Sequence, residues 1–288
     1  MITKDKKILI AGLGLIGGGY ARGLHKKGYT VYAVNRSEKA IRYALDEGII
    51  DKGASEENEN MMLELLSQAD IVVIAVYPAI FVDWVKKYQQ YFKTGAIITD
   101  VTGVKSCIVY VVQDILRDDV EFIASHPMAG RELSGVENSD EGVFKGANYI
   151  VVPTEKNSKE AIDICMELGH LLDFGRYSVL SPKEHDDIIA FVSQLTHCIA
   201  ISLMNCSNNS ELVNYVGDSF RDLTRIARIN ENMWTELFLL NKESLLSQID
   251  VFIEEMNDLR DKLNDNDAEA LKKKMITSTE RRVLFDKK

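Results

Sequence analysis

Several things are scarce in this sequence, and each scarcity excludes something. In 288 residues there are four prolines, four cysteines and five histidines, and basic side chains (34) fall short of acidic ones (44), a formal net charge of −10. With so little proline, and 18 glycines in no periodic array, collagen-like and low-complexity classes drop out. Cys107, Cys165, Cys198 and Cys206 form no CxxC and stand at no zinc spacing to a histidine. The expectation is four reduced, mostly buried thiols and no metal. An acidic chain offers no field to hold a phosphate backbone, which argues against a nucleic-acid partner. An anionic ligand must then be met by a local cluster of cations or by helix N-termini. The longest uninterrupted apolar run, Ile71–Val76, is far too short to span a bilayer, and no apolar segment precedes a cleavage site at the start. The expectation is a cytoplasmic protein with no membrane partner.

What is present is ordinary in amount, 46% hydrophobic and 27% charged, and enough for two domains. Short apolar runs (Lys7–Ala11, Tyr29–Val34, Ile71–Val76, Ala96–Thr99, Glu121–Ala124) alternate with helical segments over residues 15–27, 37–47, 78 onward and 104–116. This rhythm predicts a doubly wound parallel α/β sheet, a Rossmann-type unit. A strand at Ala147–Val152, a helix at Ser158–His170 and a strand near Asp173–Tyr177 extend it. Past Ser181-Pro182 the pattern is helical throughout, so the expected domains are 1–178 and 179–288, the second an all-helical dimerisation domain. Its sharpest feature is a heptad seam, Leu245, Ile249, Phe252, Met256, Leu259 and Leu263. Such a seam packs either inside its own domain or across a homodimer.

The first strand runs into Gly12-Leu13-Gly14-Leu15-Ile16-Gly17 at the start of a helix, the context in which GxGxxG binds a dinucleotide. Gly12 permits the tight turn, Gly14 lets the backbone approach a pyrophosphate, and Gly17 lets the helix pack close. Unpaired N–H groups at the helix start then face the phosphates. Leu15, Ile16 and, past the Ile71 strand, Val76 complete the expected contacts. NAD-binding units usually carry an acidic residue at the end of the second strand. Here Asn35-Arg36-Ser37 stands there instead. With no carboxylate to repel a 2′-phosphate, and with Arg36 and Ser37 able to bind one, the reading favours NADP over NAD.

Histidine is the best candidate for proton transfer near neutral pH. His25, beside two lysines, reads as exposed, and His170 and His185, near helix ends, as capping or surface residues. His126 follows the Phe122-Ile123-Ala124 strand in a loop stiffened by Pro127 and Gly130, at the sheet edge where doubly wound folds bind ligands. His197 stands four residues after Ser193 on a helix, so both face one way. Arg221 and Arg225 share another helical face, and apolar neighbours suggest that Arg225 is partly buried, either against Asp222 or against a substrate carboxylate. A rival class, hydroxyacid or imine reductases with a catalytic lysine, would draw on Lys105. A non-catalytic nucleotide sensor is the alternative outside enzymes.

Taken with the glycine turn (12–18), the segments Ser125-His126-Pro127-Met128-Ala129-Gly130, Arg221-Asp222-Leu223-Thr224-Arg225-Ile226-Ala227 and Met233-Trp234 resemble the prephenate dehydrogenase family along nearly the whole chain. The resemblance implies oxidative decarboxylation of prephenate, or of arogenate, in tyrosine biosynthesis. It implies His126 as base, Arg225 as carboxylate anchor, Ser193 and His197 lining the cleft, and Glu132 shaping or gating it. Two positions depart from the family pattern. Gly103 stands where relatives often have a serine supporting the histidine, a role Thr102 is then expected to take. Gln194 stands where many have a histidine, which leaves prephenate against arogenate preference open.

Overall fold

The computed structural model describes residues 1–130 and 133–285. Strands β1 (Lys7–Ala11), β2 (Thr30–Asn35), β3 (Lys52–Ser55), β4 (Ile71–Ile74), β5 (Ile97–Asp100) and β6 (Glu121–Phe122) form one parallel sheet in the order β3-β2-β1-β4-β5-β6. The central strands are apolar along their whole length because both faces are covered. In β1, Ile8 and Ile10 enter one core with Tyr20, Phe144 and Tyr149, while Leu9 and Ala11 enter the other with Phe81 and Phe122. Helices α1 (Leu15–Lys26), α2 (Glu38–Asp46), α3 (Glu59–Gln68), α4 (Pro78–Tyr88) and α5 (Val109–Ile115) make the connections. Local chemistry sets their starts: the Ser37 hydroxyl accepts from the Ala40 amide at α2, Asn58 caps α3, and Pro78 occupies the first turn of α4. The pair β3 and α3 is absent from the sequence reading. Lys52-Gly53-Ala54-Ser55 has no β-branched residue and forms a strand only because it can add to the edge of β2.

The expected strand at 121–124 followed by a loop is corrected by the structure. The parallel sheet stops at Phe122, the Ile123 amide donates to the Ile98 carbonyl (2.9 Å), and the chain then passes into β7 (Ala124–Met128). This strand belongs to a second sheet, β7-β8-β9, with β8 (Asn148–Val152) antiparallel to β7 and β9 (Arg176–Val179) parallel to β8; α6 (Lys159–Leu171) joins them. His126 therefore sits inside a strand, not in a loop. Pro127 misled because proline signals a break, yet an edge strand such as β7 tolerates it.

Beyond β9, a complete capping box (Ser181 with Glu184) starts α7 (Pro182–Ile189), which continues through a π-helical turn (Ala190–Leu195) into α8 (Thr196–Asn205). Within this helix of 24 residues, Pro182–Asn205, one 18-residue window reaches a mean hydropathy of 1.6, enough by length and composition alone to cross a membrane. Polar residues such as Ser193, Gln194 and His197 interrupt that window, so a search for uninterrupted apolar runs finds Ile71–Val76 and passes over it. Helices α9 (Asp218–Thr224) and α10 (Glu231–Leu240) follow. The chain divides into compact units Met1–Asn241 and Lys242–Lys288, so the first extends past residue 178. The second consists of α11 (Lys242–Asn264) and α12 (Ala268–Val283), tied by Lys274 to Glu255 and Asp258 at 2.7 Å each. On the heptad seam of α11, Met256 and Leu263 are 50% and 59% exposed. All four cysteines are free; only Cys165 is buried and Cys206 is exposed, against the expectation of mostly buried thiols.

Candidate active site

The glycine turn is built as a dinucleotide cradle. Gly12 has φ +104°, and a Cβ there would lie 2.4 Å from the Ala75 carbonyl oxygen and 3.3 Å from Val76 Cγ1. Only glycine fits, and Val76 is placed against the turn as expected. A Cβ on Gly17 would lie 2.0 Å from the Gly12 carbonyl oxygen, so α1 packs directly on the turn. Gly14 faces open space, caps α1 without a side chain, and no acidic residue stands in the first turn. The amides at Leu15 and Ile16 thus meet no competing anion, at the point where the strand order reverses between β1 and β4. These residues fit a pyrophosphate. Asn35 does something the sequence did not suggest: its Oδ1 accepts from the Leu13 amide (3.0 Å) and its Nδ2 donates to the Ser37 carbonyl (3.2 Å), bracing the turn. Arg36 is exposed beside it, and Ser37, its oxygen engaged at the cap, keeps its proton to donate.

The second part of the candidate site hangs on β7. Side chains alternate across a strand, so Ser125 faces inward and His126 the other way. Ser125 is clamped at three points: its amide donates to Asp100 Oδ1 (3.0 Å), its hydroxyl to the Asp100 carbonyl (2.7 Å), and its carbonyl accepts from Lys105 Nζ (2.6 Å). Lys105 Nζ also pairs with Asp100 Oδ2 at 2.6 Å, both side chains being fully buried. The backbone preceding His126 is therefore fixed. The ring is held from the helical side: His126 Nδ1 lies 2.9 Å from His185 Nε2, and His185 Nδ1 lies 2.8 Å from Asp186 Oδ1. Asp186 accepts in addition from the amides of Lys105 (2.9 Å) and Ser106 (2.8 Å). Burial, then the neighbouring His185 and Lys105, push His126 well below the ordinary histidine value. Burial also pushes His185 down, against the pull of Asp186. For Asp186, burial acts upward, but the His185 ring and the Ser106 amide outweigh it and the carboxyl ends below its usual range. The site at neutral pH is two neutral imidazoles backed by one carboxylate.

Sequence reasoning missed His185, taking it for a surface residue near a helix end. It is fully buried. The signal was available: Pro182, His185, Asp186 and Ile189 follow the spacing of one helical face, and all four are buried. Thr102 does not support His126. Its hydroxyl binds the Asp100 carboxylate and accepts from Lys105 Nζ (3.1 Å), because the loop turns residue 102 inward. Gly103 is the residue that faces the ring; a Cβ there would lie 3.9 Å from His126 Nε2. Lys105, the candidate of the rival class, is too deeply buried to meet a substrate. Gln194 is likewise buried, its Nε2 donating to the Leu237 carbonyl (2.9 Å) and its Oε1 accepting from Asn241 (2.8 Å). His197 donates to the Ser193 carbonyl (2.9 Å) and stacks on Trp234 with centroids 3.6 Å apart, which gives the Met233-Trp234 segment a role. Arg225 is exposed, not partly buried, and Arg221 reaches Asp218 (3.6 Å). Glu132 lies outside the described residues.

A phosphate-binding turn at the switch point of a parallel sheet, together with a half-buried histidine held by a second imidazole, points to a dinucleotide-linked oxidoreductase. Comparison with known proteins narrows this class. Residues 20–173 match the family described as "Prephenate dehydrogenase, nucleotide-binding domain" and residues 181–277 "Prephenate dehydrogenase, dimerization domain". The chain belongs to the prephenate dehydrogenase family. It is 30% identical over 273 residues to the prephenate dehydrogenase of Bacillus subtilis, covering 92% of this chain and 72% of that one. It is 30% identical over 291 residues to the cyclohexadienyl dehydrogenase of Zymomonas mobilis, covering 94% and 92%. Among solved structures, prephenate dehydrogenase from A. aeolicus in complex with hydroxyphenyl propionate and NAD+ superposes with a TM-score of 0.89 at 28% identity, over 99% of this chain and 100% of that one.

Proposed function

We propose that this chain oxidises prephenate to 4-hydroxyphenylpyruvate with release of CO2 and reduction of NAD or NADP. The observation that carries this reading is the His126 ring, its Nδ1 engaged by His185 and its Nε2 facing Gly103, which has no side chain to cover it. A dinucleotide held at Gly12, Gly14 and Gly17 would supply the acceptor for the hydride leaving C4 of the substrate ring. His126 takes the proton of the C4 hydroxyl as that carbon becomes a carbonyl. Loss of the ring carboxylate as CO2 returns its electron pair to the ring, which becomes aromatic, and the ring oxygen regains a proton. Arg225 holds a substrate carboxylate by a charge-assisted pair, the local positive charge that a chain of net charge −10 otherwise lacks. Ser193 and His197 line the cleft. Residues 1–178 bind the dinucleotide; residues 179–288 supply the substrate side and the homodimer contact, a role supported by the exposed Met256 and Leu263 on the seam of α11. Gln194 leaves no amide for a substrate, so the choice between a keto and an amino side chain is made elsewhere. The test is steady-state turnover with prephenate.

For the cofactor we favour NADP, since Arg36 is exposed beside the turn and no carboxylate opposes a 2′-phosphate. Arg36→Ala is expected to raise KM for NADP by about 10- to 100-fold, the loss of one charge-assisted contact, and to leave KM for NAD nearly unchanged. Equal losses for both cofactors would remove Arg36 from that role.

A further inference from the structure

We propose that His185, held by Asp186, is the positioning residue of the catalytic base: it fixes His126 in the tautomer whose Nε2 is the free acceptor, the task that no hydroxyl at position 103 can perform in this chain. The inference rests on the reading of His126 as base.

The argument runs through donor and acceptor capacity. An ionised carboxylate can only accept, so the nitrogen 2.8 Å from Asp186, His185 Nδ1, carries the proton. A neutral imidazole has one N–H, so His185 Nε2 is a bare lone pair. The 2.9 Å contact from His126 Nδ1 to that nitrogen then requires the proton on His126 Nδ1. His126 Nε2 is left with its lone pair outward, and Gly103, lacking a side chain, places no group against it. One carboxylate thereby dictates the proton positions of two rings in series.

The dyad is anchored for this purpose. The Asp186 carboxylate is pinned by the Lys105 and Ser106 amides, and the Asp186 carbonyl accepts from Asn241 Nδ2 (2.8 Å). That same amide donates to Gln194, which in turn holds the Leu237 carbonyl of α10. Lys105 connects the two supports of His126: its side chain holds the Ser125 carbonyl, and its amide holds the carboxylate behind His185.

The experiment reads the tautomer first. In protein labelled with 15N-histidine, without substrate, the His126 signals are assigned by their loss in His126→Asn. They are expected to show a protonated Nδ1 and an unprotonated Nε2; the opposite tautomer overturns the proposal whether or not the enzyme turns over. His185→Leu, which removes the acceptor, is then expected to mix the tautomers and to lower kcat about 10- to 100-fold with KM changed by no more than about threefold. His185→Gln keeps an amide oxygen where Nε2 lies and is expected to retain the tautomer and most of kcat. Loss of kcat in His185→Leu with the tautomer unchanged, or no rescue by Gln, overturns it. A wild-type protein with the expected tautomer but no turnover contradicts the proposed reaction and leaves the placement of the proton standing.

Discussion

Replacing His126 with Asn is expected to lower kcat/KM for prephenate by about 10²- to 10⁴-fold, the range set by a well-placed general base, while Kd for the dinucleotide stays within about twofold. Asparagine fits the β7 position and can still meet His185, but it presents no basic nitrogen to the substrate. The cradle at Gly12, Gly14 and Gly17 is built by β1, α1 and the Ala75 carbonyl, none of which depends on the ring. The same base sets the pH dependence. Burial first, then His185 and Lys105, hold His126 below its usual value, so the ring stays deprotonated as pH falls through 6.5. The acid limb of kcat/KM, where protonation of the base extinguishes activity, is therefore expected at a pH below 6.5, read from initial rates at saturating cofactor. Unchanged turnover in His126→Asn, or an acid limb above 7, would contradict the assignment.

The second large effect is on stability. Lys105→Met keeps the length of the side chain and removes its charge, leaving Asp100 fully buried without its ion-pair partner. Removing one partner of a buried pair typically costs about 3–5 kcal/mol, and urea unfolding is expected to register a loss of that order. Activity is expected to fall with it, because the Ser125 carbonyl and the loop carrying the Asp186-binding amides both lose their support. This outcome separates Lys105 from a catalytic lysine. A catalytic lysine would lose activity at unchanged stability, and that result would return the rival reductase class to consideration.

The parts of the fold legible in the sequence are those where one physical demand dominates. Strands such as Ile71–Ile74 are buried on both faces and read as continuous apolar runs; the glycine turn announces itself because a Cβ at Gly12 or Gly17 has no room. Legibility fails where a neighbour decides. β3 exists because β2 offers it an edge, β7 is a strand despite Pro127, and the shift from one sheet to the other at Ile123 has no local mark. Of the site, His126 and the cradle were visible. Asn35 also braces the turn, a task that its position at the end of β2 does not announce in the sequence. Thr102 was misread because adjacency to Gly103 says nothing about which way a hydroxyl points. His185 and Asp186 carried a helical spacing that marked them as buried, yet their partner is 59 residues upstream of His185, and no spacing rule connects the two.

The most direct test of the account is steady-state turnover of the purified protein with prephenate and with arogenate, each with NAD and with NADP, following CO2 and reduced cofactor together. The account predicts equal amounts of both products from prephenate, with the lower KM for NADP. Binding of the dinucleotide without oxidation of either substrate would contradict it.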